Sequence, residues 1–180
     1  MSFSFESCVE PLRAAAAEPD PNSAVVACLR EFLADRAALI AGTPDDGEDE
    51  IQLFEDESLS IWRCRFQPHV IVPPHEHKMV AHIAAYDGAE KSILFRRAEG
   101  GLKHEETKLA RAGEIISLEE DSIHAVTAEG MRPSLAIHVY MGPLMAIKRS
   151  LFDWETGTEI DFSMENFEKL TRPASALPDY

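Results

Sequence analysis

The spacing of hydrophobic positions changes once along the chain, near Glu50. Before that point Val25, Cys28, Leu29, Phe32, Leu33 and Leu39 recur at three- and four-residue steps, which is the buried stripe of an α-helix. Glu18-Pro19-Asp20-Pro21 interrupts the helical composition and divides it into a short first helix and a longer second one. Asn22 or Ser23 is the expected N-cap of the second helix, and Gly42 stands near its end. After Glu50 the apolar runs become short: 51–54, 59–66, 70–72, 80–86, 92–97, 102–109, 115–118, 123–127 and 135–141. Asp87-Gly88, Gly100-Gly101 and Ala112-Gly113 punctuate them, and no helical stretch intervenes that could serve as a crossover between parallel strands. The pattern predicts an all-β barrel or sandwich. From Leu151 onward the chain is irregular, apart from a short helix capped by Ser163 and running to Leu170, and a tail from Pro173 to Tyr180. The expected organisation is one domain, with a helical prefix over 1–50 packed on a β body over 51–180.

Composition narrows the class of function. With 180 residues, 45% of them hydrophobic, the chain supports one well-buried core. Thirty-two acidic residues against 17 Lys and Arg give a net charge of -15 with no basic stripe, so neither nucleic acid nor an anionic membrane is expected as a partner. The acidic runs 45–50 and 119–121 read as solvated loops, the first of them marking the boundary between prefix and body. Cys8, Cys28 and Cys64 are too scattered for a disulfide framework, and the N-terminus has no signal-peptide pattern. No apolar run approaches the ~20 residues of a membrane helix. A soluble cytoplasmic protein with reduced thiols is the expectation.

The candidate chemistry is concentrated in Ile71-Val72-Pro73-Pro74-His75-Glu76-His77. Alternate side chains of extended backbone share a face, so His75 and His77 point the same way and offer two neutral nitrogen donors to a transition metal. Glu76, between them, faces away toward a neighbouring strand. His124, in Ser122-Ile123-His124-Ala125-Val126, is a third histidine in strand context. His82 has three readings: a further ligand, a donor behind a ligand, or a polar residue on the outer face. Bringing it inward requires a turn near Lys78. His69 and His104 read as surface residues and Cys64 as a small buried hydrophobe.

These motifs resemble those of the cupins, the double-stranded β-helix or jelly-roll barrel proteins. His75-Glu76-His77 matches the His-x-His of their first metal motif, Gly88 matches its closing glycine, and the eleven-residue step from Gly113 to His124 matches the second motif. The glutamate that usually follows the pair is absent, with Ala81 or His82 in its place. Three histidines without that glutamate resemble the cysteine dioxygenase-like thiol dioxygenases, and Ser134-Leu135-Ala136-Ile137-His138-Val139-Tyr140 is similar to their Ser-x-His-x-Tyr strand, with Ala136 at the serine position.

The resemblance implies His75, His77 and His124 as metal ligands, Tyr140 and His138 as catalytic residues, and Fe(II) as the metal, with Ni, Zn or Mn as alternatives. It implies oxidation of a small thiol to a sulfinate by O2. The alternatives are oxidative cleavage of a diketone or aromatic diol, or non-catalytic binding of a metal or small ligand. Cupins often pair as homodimers through barrel faces and edge strands. The family's carboxylate-binding arginine falls at Gln52 or Leu53 here, so unless Arg63, Arg65, Arg96 or Arg97 turns inward, a simple amino acid is a poor substrate for this chain.

Overall fold

The computed structural model describes residues 3–44 and 47–177; Asp45 and Asp46 of the acidic boundary run and the last three residues of the tail lie outside the described residues. Helices α1 (Val9–Ala16), α2 (Pro21–Leu33) and α3 (Arg36–Gly42) come first. The cap of α2 is Asp20, not Asn22 or Ser23: its carboxylate accepts from the Ser23 amide at 3.3 Å, and Pro21 fills the first turn, where no amide proton is needed. The expected long second helix also breaks at Ala34, because Asp35 competes for the backbone and caps α3 through the Ala38 amide at 3.1 Å.

Nine strands follow: β1 (Glu50–Glu55), β2 (Ser60–Phe66), β3 (Val70–Glu76), β4 (Ala81–Asp87), β5 (Ala89–Ala98), β6 (Gly101–Arg111), β7 (Ile115–Leu118), β8 (Ile123–Ala128) and β9 (Ser134–Tyr140). The irregular C-terminal stretch adds the short strands β10 (Ser150–Phe152), β11 (Glu159–Asp161) and β12 (Arg172–Pro173), with α4 (Met164–Leu170) capped by Ser163 through the Asn166 amide. All pairings are antiparallel and form two sheets, β1-β2-β9-β4-β7 and β11-β10-β3-β8-β5-β6, with β12 on β3. This is the double-stranded β-helix barrel of the sequence reading.

The core is layered by strand alternation. Ala81, Ile83, Ala85, Leu94, Ala136 and Tyr140 face into the barrel at one end, and Cys64, Phe66, Val72, Val126 and Ala128 at the other. The outer face of the first sheet, with Ile61, Ala84, Tyr86, Ile137 and Val139, is covered by Leu12, Val25, Leu29 and Leu39 of the helices. The outer face of the second sheet, with Ile71, Ile93 and Ala125, is covered by Phe152, Trp154 and Leu177. Strands β4 and β9 are therefore buried on both faces, which is why they read as continuous apolar runs. Gly88 joins β4 to β5 with φ +64°, where a Cβ would meet the Pro133 carbonyl oxygen at 2.3 Å, so only glycine fits.

Candidate metal centre

Strict alternation along β3 would put Ile71 out, Val72 in and His75 out again. The pairing with β8 slips instead: Val72 faces Val126 and His75 faces His124, three steps on one strand against two on the other. This one-residue bulge lies at Pro73-Pro74, two residues with no amide proton to give to a ladder, and it turns His75 and His77 into the barrel. His124, Val126 and Ala128 share the inward face of β8 by ordinary alternation.

Inside the barrel the three imidazoles converge. His75 Nε2 lies 3.1 Å from His77 Nε2, His124 Nε2 lies 3.4 Å from His77 Nε2, and one nitrogen from each ring falls within 4.8 Å of the others. The bulge also frees the Pro73 carbonyl, which accepts from His75 Nδ1–H at 2.9 Å, so the Nε2 lone pair of His75 points at the cluster. His124 Nδ1 lies 3.2 Å from the Ser92 hydroxyl. All three rings are at most 8% exposed. Burial pushes the His75 pKa down to about 4, and burial together with neighbouring histidines holds His77 and His124 well below the ordinary value. The rings are neutral at pH 7, and their convergent nitrogens fit a first-row divalent metal, whose cis nitrogen ligands at about 2.1 Å stand about 3 Å apart.

Ala81 faces inward directly opposite Tyr140, so the position of the missing glutamate holds a methyl group beside a phenol ring. The Tyr140 ring stands edge-on to His77, with centroids 4.8 Å apart. His138, two residues earlier on the same face, lies 3.2 Å from the Tyr140 hydroxyl through Nδ1 and 2.9 Å from Glu90 through Nε2. His82 does not join the cluster. Lys78 does make the required turn, with φ +56°, but His82 falls between the inward residues Ala81 and Ile83 and so points outward. There it accepts from the Ser117 hydroxyl (2.8 Å) and donates to Asn22 Oδ1 (3.0 Å), tying α2 to the barrel. Glu76 faces away from the cluster to Lys78 (3.2 Å) and Arg97 (3.3 Å).

Comparison of the chain with protein-family descriptions and with curated protein sequences finds no match. Among solved structures it is similar to an uncharacterized conserved protein with a double-stranded beta-helix domain from Klebsiella pneumoniae, at 18% identity over 61% of this chain and 88% of that one, with a TM-score of 0.41. It is similar to a cupin 2 conserved barrel domain protein from Leptotrichia buccalis, at 19% identity over 55% of this chain and 43% of that one, with a TM-score of 0.44. A recombinant oxalate oxidase in complex with glycolate matches at 17% identity, over 56% of this chain and 53% of that one, with a TM-score of 0.42. The likeness is one of fold.

None of Arg63, Arg65, Arg96 and Arg97 turns toward the histidines, the outcome that counts against a simple amino acid as substrate. Arg63 reaches the Pro44 carbonyl (3.5 Å), Arg65 pairs with Asp49 (2.7 Å), Arg97 bridges Glu76 and Glu159, and Arg96 is exposed. Arg149, in the loop before β10, does. It lines a cavity of about 490 Å³ with the charged residues Glu50, Lys148 and Asp161 and with an apolar wall that includes Trp62, Leu144 and Phe162, and Glu50 and Glu55 act on its charge. Its guanidinium carbon stacks 3.4 Å over the Phe162 ring, and Phe162 stands 6.4 Å from His75 between ring centroids. Its charge helps to depress both His75 and His77. Among the described residues the guanidinium has no carboxylate within ion-pair distance, and the buried Trp62 Nε1–H, in the same wall, has no acceptor. No periodicity marks Arg149, which lies in a loop. Glu90 and Ser92 were within reach, because extending the strand expected at 92–97 by two residues places both on one face.

Proposed function

We propose that this chain is a non-haem iron(II) dioxygenase that oxidises a small anionic thiol to its sulfinate, RS⁻ + O2 → RSO2⁻. The observation that carries the reading is a carboxylate-free cluster of three neutral imidazoles beside Tyr140 hydrogen-bonded to His138. His75, His77 and His124 would hold the iron on one side. Iron(II) would supply the redox-active centre at which thiolate and dioxygen meet. The remaining work belongs to the chain. Arg149 would offer a positive charge and Trp62 Nε1–H an unpartnered donor to a substrate carboxylate, fixing the thiol end toward the histidines. Tyr140 presents a neutral hydroxyl to the reacting sulfur, since burial raises its pKa well above the ordinary phenol value. Phe162 and the barrel wall exclude water.

The test is oxygen uptake by anaerobically iron-loaded protein with cysteine, mercaptopropionate, cysteamine and mercaptosuccinate, with mass spectrometry of products. A two-oxygen gain on a carboxylate-bearing thiol is expected; no oxygen consumption with any of the four removes the thiol reading. The apolar wall formed by Leu144, Ile147, Phe162 and Met164 gives weight to a second reading, oxidative cleavage of a diketone or aromatic diol in the same cavity. Carbon–carbon cleavage products would identify it.

A further inference from the structure

Strand β5 lays two polar side chains on its inward face, Ser92 against His124 and Glu90 against His138. Glu90 is 0% exposed, its Oε2 is 2.9 Å from His138 Nε2, and its Oε1 has no hydrogen-bond partner among the described residues. No lysine or arginine in those residues pairs with it. An isolated carboxylate in a barrel interior is several kcal/mol unfavourable unless an opposite charge touches it, and the group touching Glu90 is His138.

Hydrogen positions follow from donor and acceptor chemistry. An ionised carboxylate only accepts, so His138 Nε2 carries a proton. The other ring nitrogen faces the Tyr140 hydroxyl at 3.2 Å. A neutral His138 would accept the Tyr140 proton there and turn it away from the cavity. A cationic His138 donates instead to the Tyr140 oxygen, leaving the Tyr140 O–H free. Burial opposes the cation, but the groups facing it, Cys64 on β2, which also hydrogen-bonds it, then Glu90 on β5 and Tyr140 on its own strand, raise the His138 pKa well above the ordinary value. Burial raises the pKa values of Cys64 and Tyr140, and the acidic oxygen at hydrogen-bond distance from His138 Nε2 is that of the fully buried Glu90, at 2.9 Å. Glu50, on β1 in the cavity wall, feels the His138 charge while burial raises its own pKa, and the three cluster histidines are held below the ordinary value.

We propose that Glu90 is a positioning residue of this site: its buried carboxylate keeps His138 a double donor, and His138 in turn directs the Tyr140 O–H at the molecule bound before the three histidines. The role in turnover rests on the dioxygenase reading above, but the charge arrangement does not. The first measurement is nitrogen-15 NMR of the metal-free, histidine-labelled wild type at about pH 8, where an ordinary histidine is neutral. One imidazolium among the seven histidines is expected, and it should become a neutral, Nε2-protonated ring in Glu90→Gln. A wild type with no imidazolium overturns the proposal without requiring any variant to fold, and so does an imidazolium that survives in Glu90→Gln. In the iron-loaded protein, Glu90→Gln should lower kcat about 10- to 100-fold while leaving KM and iron per chain unchanged. Glu90→Asp should recover part of kcat. Full kcat in Glu90→Gln would overturn the positioning role even if the imidazolium is present, whereas a wild type that oxidises no thiol removes the dioxygenase reading and leaves the NMR result to decide the charge arrangement.

Discussion

Acidifying the metal-free protein from about pH 6.5 to about pH 4 should cost it roughly 3 kcal/mol of stability through His75 alone. Burial lowers the folded pKa of His75 from 6.5 to about 4, so over that interval the unfolded chain takes up a proton that the folded chain refuses. At about 1.4 kcal/mol per pH unit the difference comes to about 3 kcal/mol, fully lost once the pH falls through the folded pKa. His77 and His124 are depressed by the same burial and add to the loss. His138 acts in the opposite sense, but its contribution changes only above about pH 6.5, where the unfolded histidine is losing its proton. Glu50, raised by burial, also opposes the loss within the window. The histidine contribution is therefore read as a difference, by thermal unfolding of wild type and His75→Asn across the pH range with chelator present. Their stability gap should narrow by about 3 kcal/mol, equivalent to roughly 6–12 °C in Tm for a domain of this size. Parallel curves would show that His75 is not held neutral by burial and would refute the reasoning.

Three further perturbations separate the roles assigned above. Arg149→Met should raise KM for carboxylate-bearing thiols about 10- to 100-fold by removing a charged hydrogen bond, with iron per chain unchanged by metal analysis; an unaltered KM would remove Arg149 from substrate binding. His82→Ala should leave metal stoichiometry intact yet cost about 1–3 kcal/mol in denaturant unfolding, because the Asn22 and Ser117 groups it satisfies lose their partner; loss of metal would put His82 back at the cluster. Leu29→Ala, at a fully buried position between α2 and the first sheet, should cost about 2–5 kcal/mol in the same assay, and a cost below 1 kcal/mol would show the helical layer to be loosely attached.

Strand periodicity made most of the barrel legible, since a side chain's face follows from its neighbours wherever alternation holds. Expected strands 115–118 and 123–127 coincide with β7 and β8 to within one residue. Alternation also made His138 and Tyr140 legible as one face of β9, and His75 with His77 as a same-face pair. Whether that pair faces in or out was not legible, because the bulge at Pro73-Pro74 resets the phase relative to Ile71 and Val72. For His82 the difficulty was the reverse: the Lys78 turn is present, and the phase of β4 still carries the ring outward. The strands β10 to β12 are three residues or fewer, too short for a period, and they owe their form to pairing with β3 and with one another. Arg149 enters the site through that same C-terminal extension, from a position that no local pattern distinguishes.

The missing ligand and the buried Glu90 bear on one another. A cluster with a glutamate would place an anion in contact with the metal; here that wall is Ala81 against Tyr140, so the three neutral histidines leave the charge of a divalent ion undiminished. Arg149 adds a positive charge at a cavity whose wall also holds Asp161 and Glu50, the latter with its pKa raised by burial. On the dioxygenase reading proposed above, such a centre would take a doubly anionic guest, thiolate at one end and carboxylate at the other, in preference to a neutral one. An anion directly beside the guest would work against that preference. The barrel nevertheless retains a buried carboxylate, set back on β5 and in contact with His138 rather than with the cluster. Its charge is balanced by His138, so what reaches the cavity is the Tyr140 hydroxyl, a neutral donor whose direction is set by a hydrogen-bond chain two residues deep. Moving the negative charge from the metal's contact layer to the far end of that chain exchanges an extra ligand for an oriented proton, which is the exchange expected of a site that must admit an anion and then hydrogen-bond it.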